Sequence, residues 1–318
     1  MIDVVALGEL LIDFACLSTD GDGYPTMAAH PGGAPANFLA ALAKFGAKTA
    51  LIGKVGTDAF GKLLTGTLET AGIGTAGLVA TEDVFTTLAF VTFDEHGDRA
   101  FSFSRKPGAD TCLAFEEVDL SLIDQAKVFH FGTLSLTDEP ARTATQKCVA
   151  YAKAAGKLIT YDPNLRKPLW RDLEEAKKQL LWGLSQADVV KISDEEVEFL
   201  FGLGVEAGAK YILEQFGVKL VFVTCGADGC FFKNALAEGR IPSLSGIKVI
   251  DTTGAGDIFG GSAVWKLLQT GKAPETLTEE DLTDIVTFAC TSAGLSTTRS
   301  GGISSVPAYR EVMERLGK

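Results

Sequence analysis

"VIDTTGAGDIFGGSAV", residues 249–264, places an apolar β-branched pair before a glycine-bearing turn and the start of an apolar helix. Four glycines and two aspartates fall within these sixteen positions. The pattern predicts strand, turn, helix. At such a junction free backbone amides gather at the helix N-terminus, where the helix dipole favours negative charge. Glycine at 254 and 256 lets backbone approach an anion without a Cβ in the way. An anion pocket beside a carboxylate is unfavourable unless chemistry needs both, so Asp257 has two readings. It is a capping acid, or it is a base that orients a hydroxyl and takes its proton while the turn's amides steady a phosphoryl group.

Working outward, apolar β-branched runs recur at "IDVVALG", "KTALIGKVG", "AKVFHFGTL", "KLITYDPN", "ADVVKIS" and "KLVFVTCG". Helix-like segments such as "APANFLAALAKFG" separate them. This alternation predicts an α/β fold with a mostly parallel sheet covered by helices on both faces, in one domain over 1–318. In such sheets the ligand crevice lies outside the strand C-termini. One stretch departs from the pattern: "TTLAFVTFDEHGDRAFSFSRKPGAD" alternates as an antiparallel hairpin turning at "DEHGD". With the loop-rich segment before His30 it predicts a small β-sheet lid, formed by about 14–31 and 86–108 and inserted into the domain.

The chain has 318 residues, 46% hydrophobic, and a formal charge of −12, which argues against nucleic acid or an anionic membrane as partner. No apolar run is long enough to cross a bilayer, and "MIDVVALGEL" lacks the basic start of a signal peptide. The six cysteines form no CxxC pair or zinc spacing, so they are expected to be reduced, in a cytoplasmic protein. His30, His96 and His130 form no metal-ligand pattern and are expected in surface or core roles. Two phosphate-loop matches are discounted. "GTDAFGKL" (56–63) has Leu63 where a hydroxyl should ligate magnesium, and it lacks a strand leading straight in. "GIGTAG" (72–77) follows a helix rather than a strand.

"DTTGAGDIFGGSAV" and "PGGAPANFLAALAKFGAKTALIGKVGTDAFG" together resemble the two signatures of the ribokinase-like carbohydrate kinases, and the similarity runs over essentially the whole chain. The resemblance implies Asp257 as catalytic base, with Gly254, Ala255 and Gly256 as the anion hole. It implies Asp13, Gly32, Gly33 and Asn37 as sugar-hydroxyl contacts. "VTCGADGC" resembles the nucleotide-phosphate loop through Thr224, Gly226 and Gly229. "SDEE" stands where the family carries Asn-x-x-Glu, so Ser193 replaces the asparagine. Glu196 is left to touch magnesium through water. The implied cofactors are ATP and Mg2+, with K+ near Asp251, Thr253 and "TRSGGI".

"YDPNLRKPLW" and "FSFSRKPGAD" look closest to the fructokinase branch, next to 2-keto-3-deoxygluconate kinases. On that resemblance Asn164 and Arg166 meet nucleotide phosphates, Arg166 also meets substrate, and Arg105 reaches from the lid onto the acceptor. Ser104, where a sugar-acid enzyme would carry an aromatic, tilts the reading to a neutral ketose, D-fructose. Aminoimidazole riboside kinases are the other alternative. The family also implies a homodimer, which we expect through a lid face bearing Phe90, Phe101 and Phe103. Of the other classes, a nicotinamide-dependent dehydrogenase needs GxGxxG after the first strand, where this chain has "GELLID". A non-catalytic sugar-binding module gives no reason for an amide pocket beside an acid.

Overall fold

Alternate residues of the first strand, β1 (Ile2–Leu7), feed different cores: Val5 and Leu7 pack on one side of a sheet, Val4 and Ala6 on the other. The continuous apolar run Val4–Leu7 is what a sheet covered on both faces requires. The computed structural model describes residues 1–93 and 99–317, without the side chains of 93 and 99–101. Its strands continue with β2 (Leu11–Thr19), β3 (Pro25–Gly32), β4 (Thr49–Gly56), β5 (Ile73–Thr81), β6 (Leu88–Phe93) and β7 (Arg99–Ser104). After these come β8 (Ala126–Gly132), β9 (Leu158–Asp162), β10 (Val189–Ser193), β11 (Leu220–Thr224), β12 (Cys230–Asn234) and β13 (Glu238–Ile241).

Nine strands form the main sheet in the order β13-β12-β11-β10-β9-β8-β1-β4-β5, parallel except for the antiparallel edge β12 and β13. The six runs identified from sequence are all strands of it. "GIGTAG" opens β5, a strand the sequence reading missed because glycines and alanines break up its β-branched residues. "GTDAFGKL" needs a similar correction. β4 does lead directly into the helix Ala59–Thr70, so the strand–turn–helix context exists after all. The turn holds no phosphate site for another reason: Asp58 Oδ1 itself accepts from the amides of Phe60 and Gly61, at 2.9 and 3.0 Å.

A separate sheet has the order β3-β2-β6-β7. Its strands lie within or beside the expected segments 14–31 and 86–108, but β2 begins earlier, at Leu11, which makes Asp13 a strand residue. The turn "DEHGD", with His96, lies outside the described residues. The expected aromatic face does not form. Phe90 pairs across the strands with Ser102, and Ala89 with Phe103, so Phe90 and Phe103 point to opposite faces. Phe90 stacks on Phe14 at 5.3 Å, and Phe14 meets Phe60 of the body edge-on at 5.4 Å. Phe103 faces the cavity described below, and the Phe101 side chain is outside the described set.

The opening stretch also departs from expectation, because no strand leads into Gly254. Val249 and Ile250 are exposed, and the amides of Ile250 and Asp251 both donate to the Thr297 carbonyl at a helix end. A helix terminus with unsatisfied carbonyls takes the place of a neighbouring strand.

Asp58 anchors one crossing into the small sheet, since its Oδ2 accepts from both the amide and the hydroxyl of Thr86. These bonds hold its carboxyl below the ordinary range, against the upward push of burial. Asp58→Ala is therefore expected to lower stability by about 1–2 kcal/mol at pH 7. Because the folded-state pKa is depressed, the difference should fade as pH falls and the wild-type carboxyl protonates. Urea unfolding at several pH values measures it, and equal midpoints at pH 7 would contradict this role.

Candidate active site

Asp257 stands in the first turn of the helix Ala255–Thr270 and is buried. Two amide side chains grip its carboxylate. Asn37 Nδ2 donates to Oδ2 at 2.9 Å, and Asn164 Nδ2 donates to Oδ1 at 3.2 Å. Burial raises its pKa above the ordinary value, against the opposing pull of Lys191, the Asn37 bond and Arg166. Gly254 caps this helix at φ 74°, a left-handed conformation that favours glycine, and a Cβ there would stand 3.0 Å from Asn37 Nδ2. The Ala255 amide donates to the Thr252 carbonyl at 3.2 Å, so it points away from the expected anion hole. Among the described residues, no hydrogen-bond acceptor faces the amides of Gly254, Gly256 or Asp257.

Above Asp257 lies a cavity of about 420 Å³. The body contributes Asn37, Asn164, Arg166 and Asp257, and the small sheet contributes Leu11, Asp13, His30, Val91 and Phe103. Asp13 sits so close to Gly32 that a Cβ at that position would collide with its Oδ2. Gly33 begins the helix Ala34–Lys44, whose Ala34 amide donates to Glu9 Oε1 at 2.8 Å. Burial pushes Glu9 up to about 7. Two buried polar atoms in this cavity, Asn37 Oδ1 and His30 Nε2, have no hydrogen-bond partner among the described residues. Among the described lining residues four are acids, Glu9, Asp13, Asp251 and Asp257, against one permanent cation, Arg166.

On the other side of the helix start lies a charged cluster around Lys191, a residue that sequence reasoning missed. Lys191 Nζ is 3.0 Å from Asp162 Oδ2 and 3.0 Å from where a Cβ on Gly256 would be. Burial lowers its pKa, but the carboxylates of Asp162, Glu196 and Asp257 outweigh this and keep the ammonium charged. A lysine inside the otherwise apolar strand "VVKIS" was the available signal. Glu196 Oε1 accepts from the Leu165 amide at 2.7 Å, and Oε2 from the Ser193 amide at 2.8 Å. Ser193 Oγ accepts from the Glu196 amide at 3.2 Å, so Ser193 caps its helix reciprocally with Glu196. Thr224 follows one strand over, level with Ser193, and Gly226 and Gly229 form the turn after it. These three lie outside the cavity, at the same end of the sheet.

The placement of Arg105 corrects its expected role as an acceptor contact. Its Nε and Nη2 both donate to Asp110 Oδ2, at 2.9 and 2.7 Å. Nη1 donates to Thr137 Oγ1 and Nη2 to the Leu134 carbonyl. Its side chain is 2% exposed and does not line the cavity. A buried carboxylate five residues on is a better partner than a hydroxyl, and it draws the guanidinium inward. Ser104 is exposed and also outside the cavity, so it says nothing about the sugar. Asp251 joins two loops. Oδ1 accepts from Thr253 N and Oγ1, while Oδ2 accepts from Gly301 N and Ser300 Oγ.

The model of the pfkB family carbohydrate kinases matches residues 1–309. A fructokinase-2 of Solanum lycopersicum is 40% identical over 319 residues, spanning 98% of this chain and 95% of the relative. The crystal structure of a fructokinase with bound ATP from Xylella fastidiosa superposes with a TM-score of 0.91 at 31% identity, covering 100% of this chain and 99% of that one. A fructokinase double mutant from Vibrio cholerae O395, in a form binding fructose, ADP and potassium ion, gives 0.87 at 29% identity, covering 99% and 98%.

Burial pushes Asp13 from its ordinary 3.8 up to about 6, with Asp257 and Asp251 adding to the rise against the pull of Arg166. A raised carboxyl favours folding below its unfolded pKa, and that contribution is lost as pH climbs through the folded value. Asp13→Asn is therefore expected to melt higher than the wild type at pH 7.5, by roughly 2–4 °C per kcal/mol relieved. The gain should develop between pH 4 and 6, tracking the raised carboxyl. Thermal melts across that range measure it, and a pH-independent difference would refute the assignment of strain to this group.

Proposed function

The chain belongs to the pfkB family of carbohydrate kinases, and on that premise we propose that it transfers the γ-phosphoryl of ATP to the 6-hydroxyl of D-fructose. One observation carries the reading: a buried carboxylate with a raised pKa meets unpartnered helix-start amides at the floor of a sugar-sized cavity. In the proposed reaction Asp257, aimed by Asn37 and Asn164, takes the proton of the acceptor hydroxyl. Its raised pKa brings it nearer the working pH of a general base. The amides of Gly254, Gly256 and Asp257 face the transferring group, in place of the Gly254–Ala255–Gly256 set. Lys191 and Arg166 supply positive charge on either side of it.

We assign Asp13, Asn37 and the Gly32–Gly33 backbone to the sugar, and Thr224, Gly226 and Gly229 to nucleotide phosphates. The small sheet serves as the lid. Its Arg105 acts as a structural tie rather than a sugar contact, and Ser193 as a helix cap. Asn164 moves from the phosphates to Asp257.

Asp162, Glu196 and Asp257 set three carboxylates around one ammonium, a hard-oxygen surplus that suits magnesium held largely through water. Glu196 and Asp162 are the acids that would meet it through water. Magnesium there would neutralise the phosphates of ATP. Potassium fits beside Asp251. Because Asp251 already ties the two loops with hydrogen bonds of its own, the ion would supplement that junction rather than make it.

A neutral ketose is favoured because four acids line the cavity against one arginine, and a sugar acid would be repelled. The six free cysteines suit the reducing cytoplasm, and among the described residues no helix is long and apolar enough to cross a membrane. A homodimer through the small sheet remains part of the proposal, now through the tip where Leu17 and Tyr24 stand exposed. A monomer in sedimentation at micromolar concentration would reject it.

Asp257→Asn is expected to fold and bind ATP while losing about 10²–10⁴ in kcat, and near-wild-type turnover would remove Asp257 from the chemistry. An ADP-release panel of fructose, ribose, glucose, 2-keto-3-deoxygluconate and an aminoimidazole riboside tests the sugar. Fructose should give the highest kcat/KM, and a tenfold advantage for either of the last two would overturn the choice.

A further inference from the structure

We infer that His30 is a sugar-selecting residue, hydrogen-bonded through its imidazole to a hydroxyl of the bound ketose. β3 sets His30 directly across from Asp13 on β2, so both side chains leave the small sheet on the same face. Both line the cavity above Asp257. Among the described small-sheet residues there, only these two carry a side-chain nitrogen or oxygen; Leu11, Ala15, Val91 and Phe103 are apolar. His30 Nε2 is buried and has no partner. A buried polar nitrogen left unpaired is costly unless a ligand completes it.

His130 shows what a purely structural histidine looks like in the same molecule. It is fully enclosed, its Nδ1 lies 3.0 Å from Thr160 Oγ1, and its ring stacks on Phe38 at 3.7 Å. Burial lowers its pKa to about 3, so it stays neutral. His30 has none of these partners, and its ring faces the cavity instead. It is also held in place from the far side. A Cβ on Gly301 would stand 3.6 Å from His30 Nδ1, and Asp251 pins the Gly301 amide. An imidazole ring nitrogen donates or accepts according to tautomer, so one sugar hydroxyl satisfies it in either sense. Asp13, an acceptor when ionised, and His30 together form a two-point reader of adjacent hydroxyls.

This inference rests on the sugar-kinase reading. The test measures ADP release from fructose and from a set of its monodeoxy analogues, with the wild type, His30→Phe and His30→Gln. Phe keeps the ring and removes both nitrogens, while Gln restores a polar group. The wild type should lose at least about tenfold in kcat/KM on one analogue. His30→Phe should lose a similar factor on fructose through the sugar KM, leave the KM for ATP within about twofold, and no longer discriminate against that analogue. His30→Gln should recover part of the loss. If His30→Phe melts well below the wild type, His30→Ala takes its place in the comparison. Unchanged kinetics, wild-type discrimination by the variants, or an equal shift in both KM values would overturn the role of His30 while leaving the kinase intact. A wild type that turns over no sugar would overturn both.

Discussion

The carboxylate of Asp257, buried at the head of a helix, is the constraint around which the rest of the site is arranged. Burying an isolated charge costs several kcal/mol, so the chain must bring partners from afar. Asn37 arrives from the helix after β3 and Asn164 from the loop after β9, 220 and 93 residues away in sequence. Asn164 adopts φ 46°, uncommon for a residue with a side chain, and this is how its amide turns toward Asp257. The parallel sheet makes the meeting possible, because its strands deliver their C-termini to one edge. Lys191 and Asp162 reach the same place from β10 and β9.

The small sheet is joined to this centre by polar groups rather than by apolar packing alone. Asp110 accepts from Thr87, beside the start of β6, and from Arg105, just past the end of β7. Asp58 holds Thr86 next to the first of these. The crossings into β6 and out of β7 are thus tied by two carboxylates, the half-buried Asp58 and the buried Asp110. Arg105 carries the connection on to Leu134, whose side chain lines the cavity.

Much of this was legible in sequence, for local reasons. A glycine turn before a helix and a run of β-branched residues both act over a few residues, so the main strands, the hairpin and Asp257 could be placed from composition and order. The misreadings concern where side chains point after the chain has folded. The sequence directs Arg105 onto the acceptor because nothing local says that Asp110 will be buried beside it. Phe90 and Phe103 were put on one face because register is set by pairing between strands, and a one-residue slip exchanges the faces. Lys191 left a trace, a charge within an apolar strand, but its partners Asp162 and Glu196 come from other segments. The irregular approach to Gly254 was hidden for a similar reason, since Thr297, forty-three residues on, supplies its hydrogen bonds.

The four acids of the cavity have a consequence for the end of the catalytic cycle. On the proposed reading, the polyol entering the pocket carries no charge, and its hydroxyls would donate to Asp13 and Asp257. Once phosphorylated, a sugar held there as proposed would carry about −1.5 to −2 charge at pH 7, in a partly desolvated space beside Asp13, Asp251 and Asp257. Like charges at such separations repel strongly when water is scarce. In the proposed cycle, this repulsion would oppose the hold of the helix-start amides and Arg166 on the phosphorylated product and favour its release.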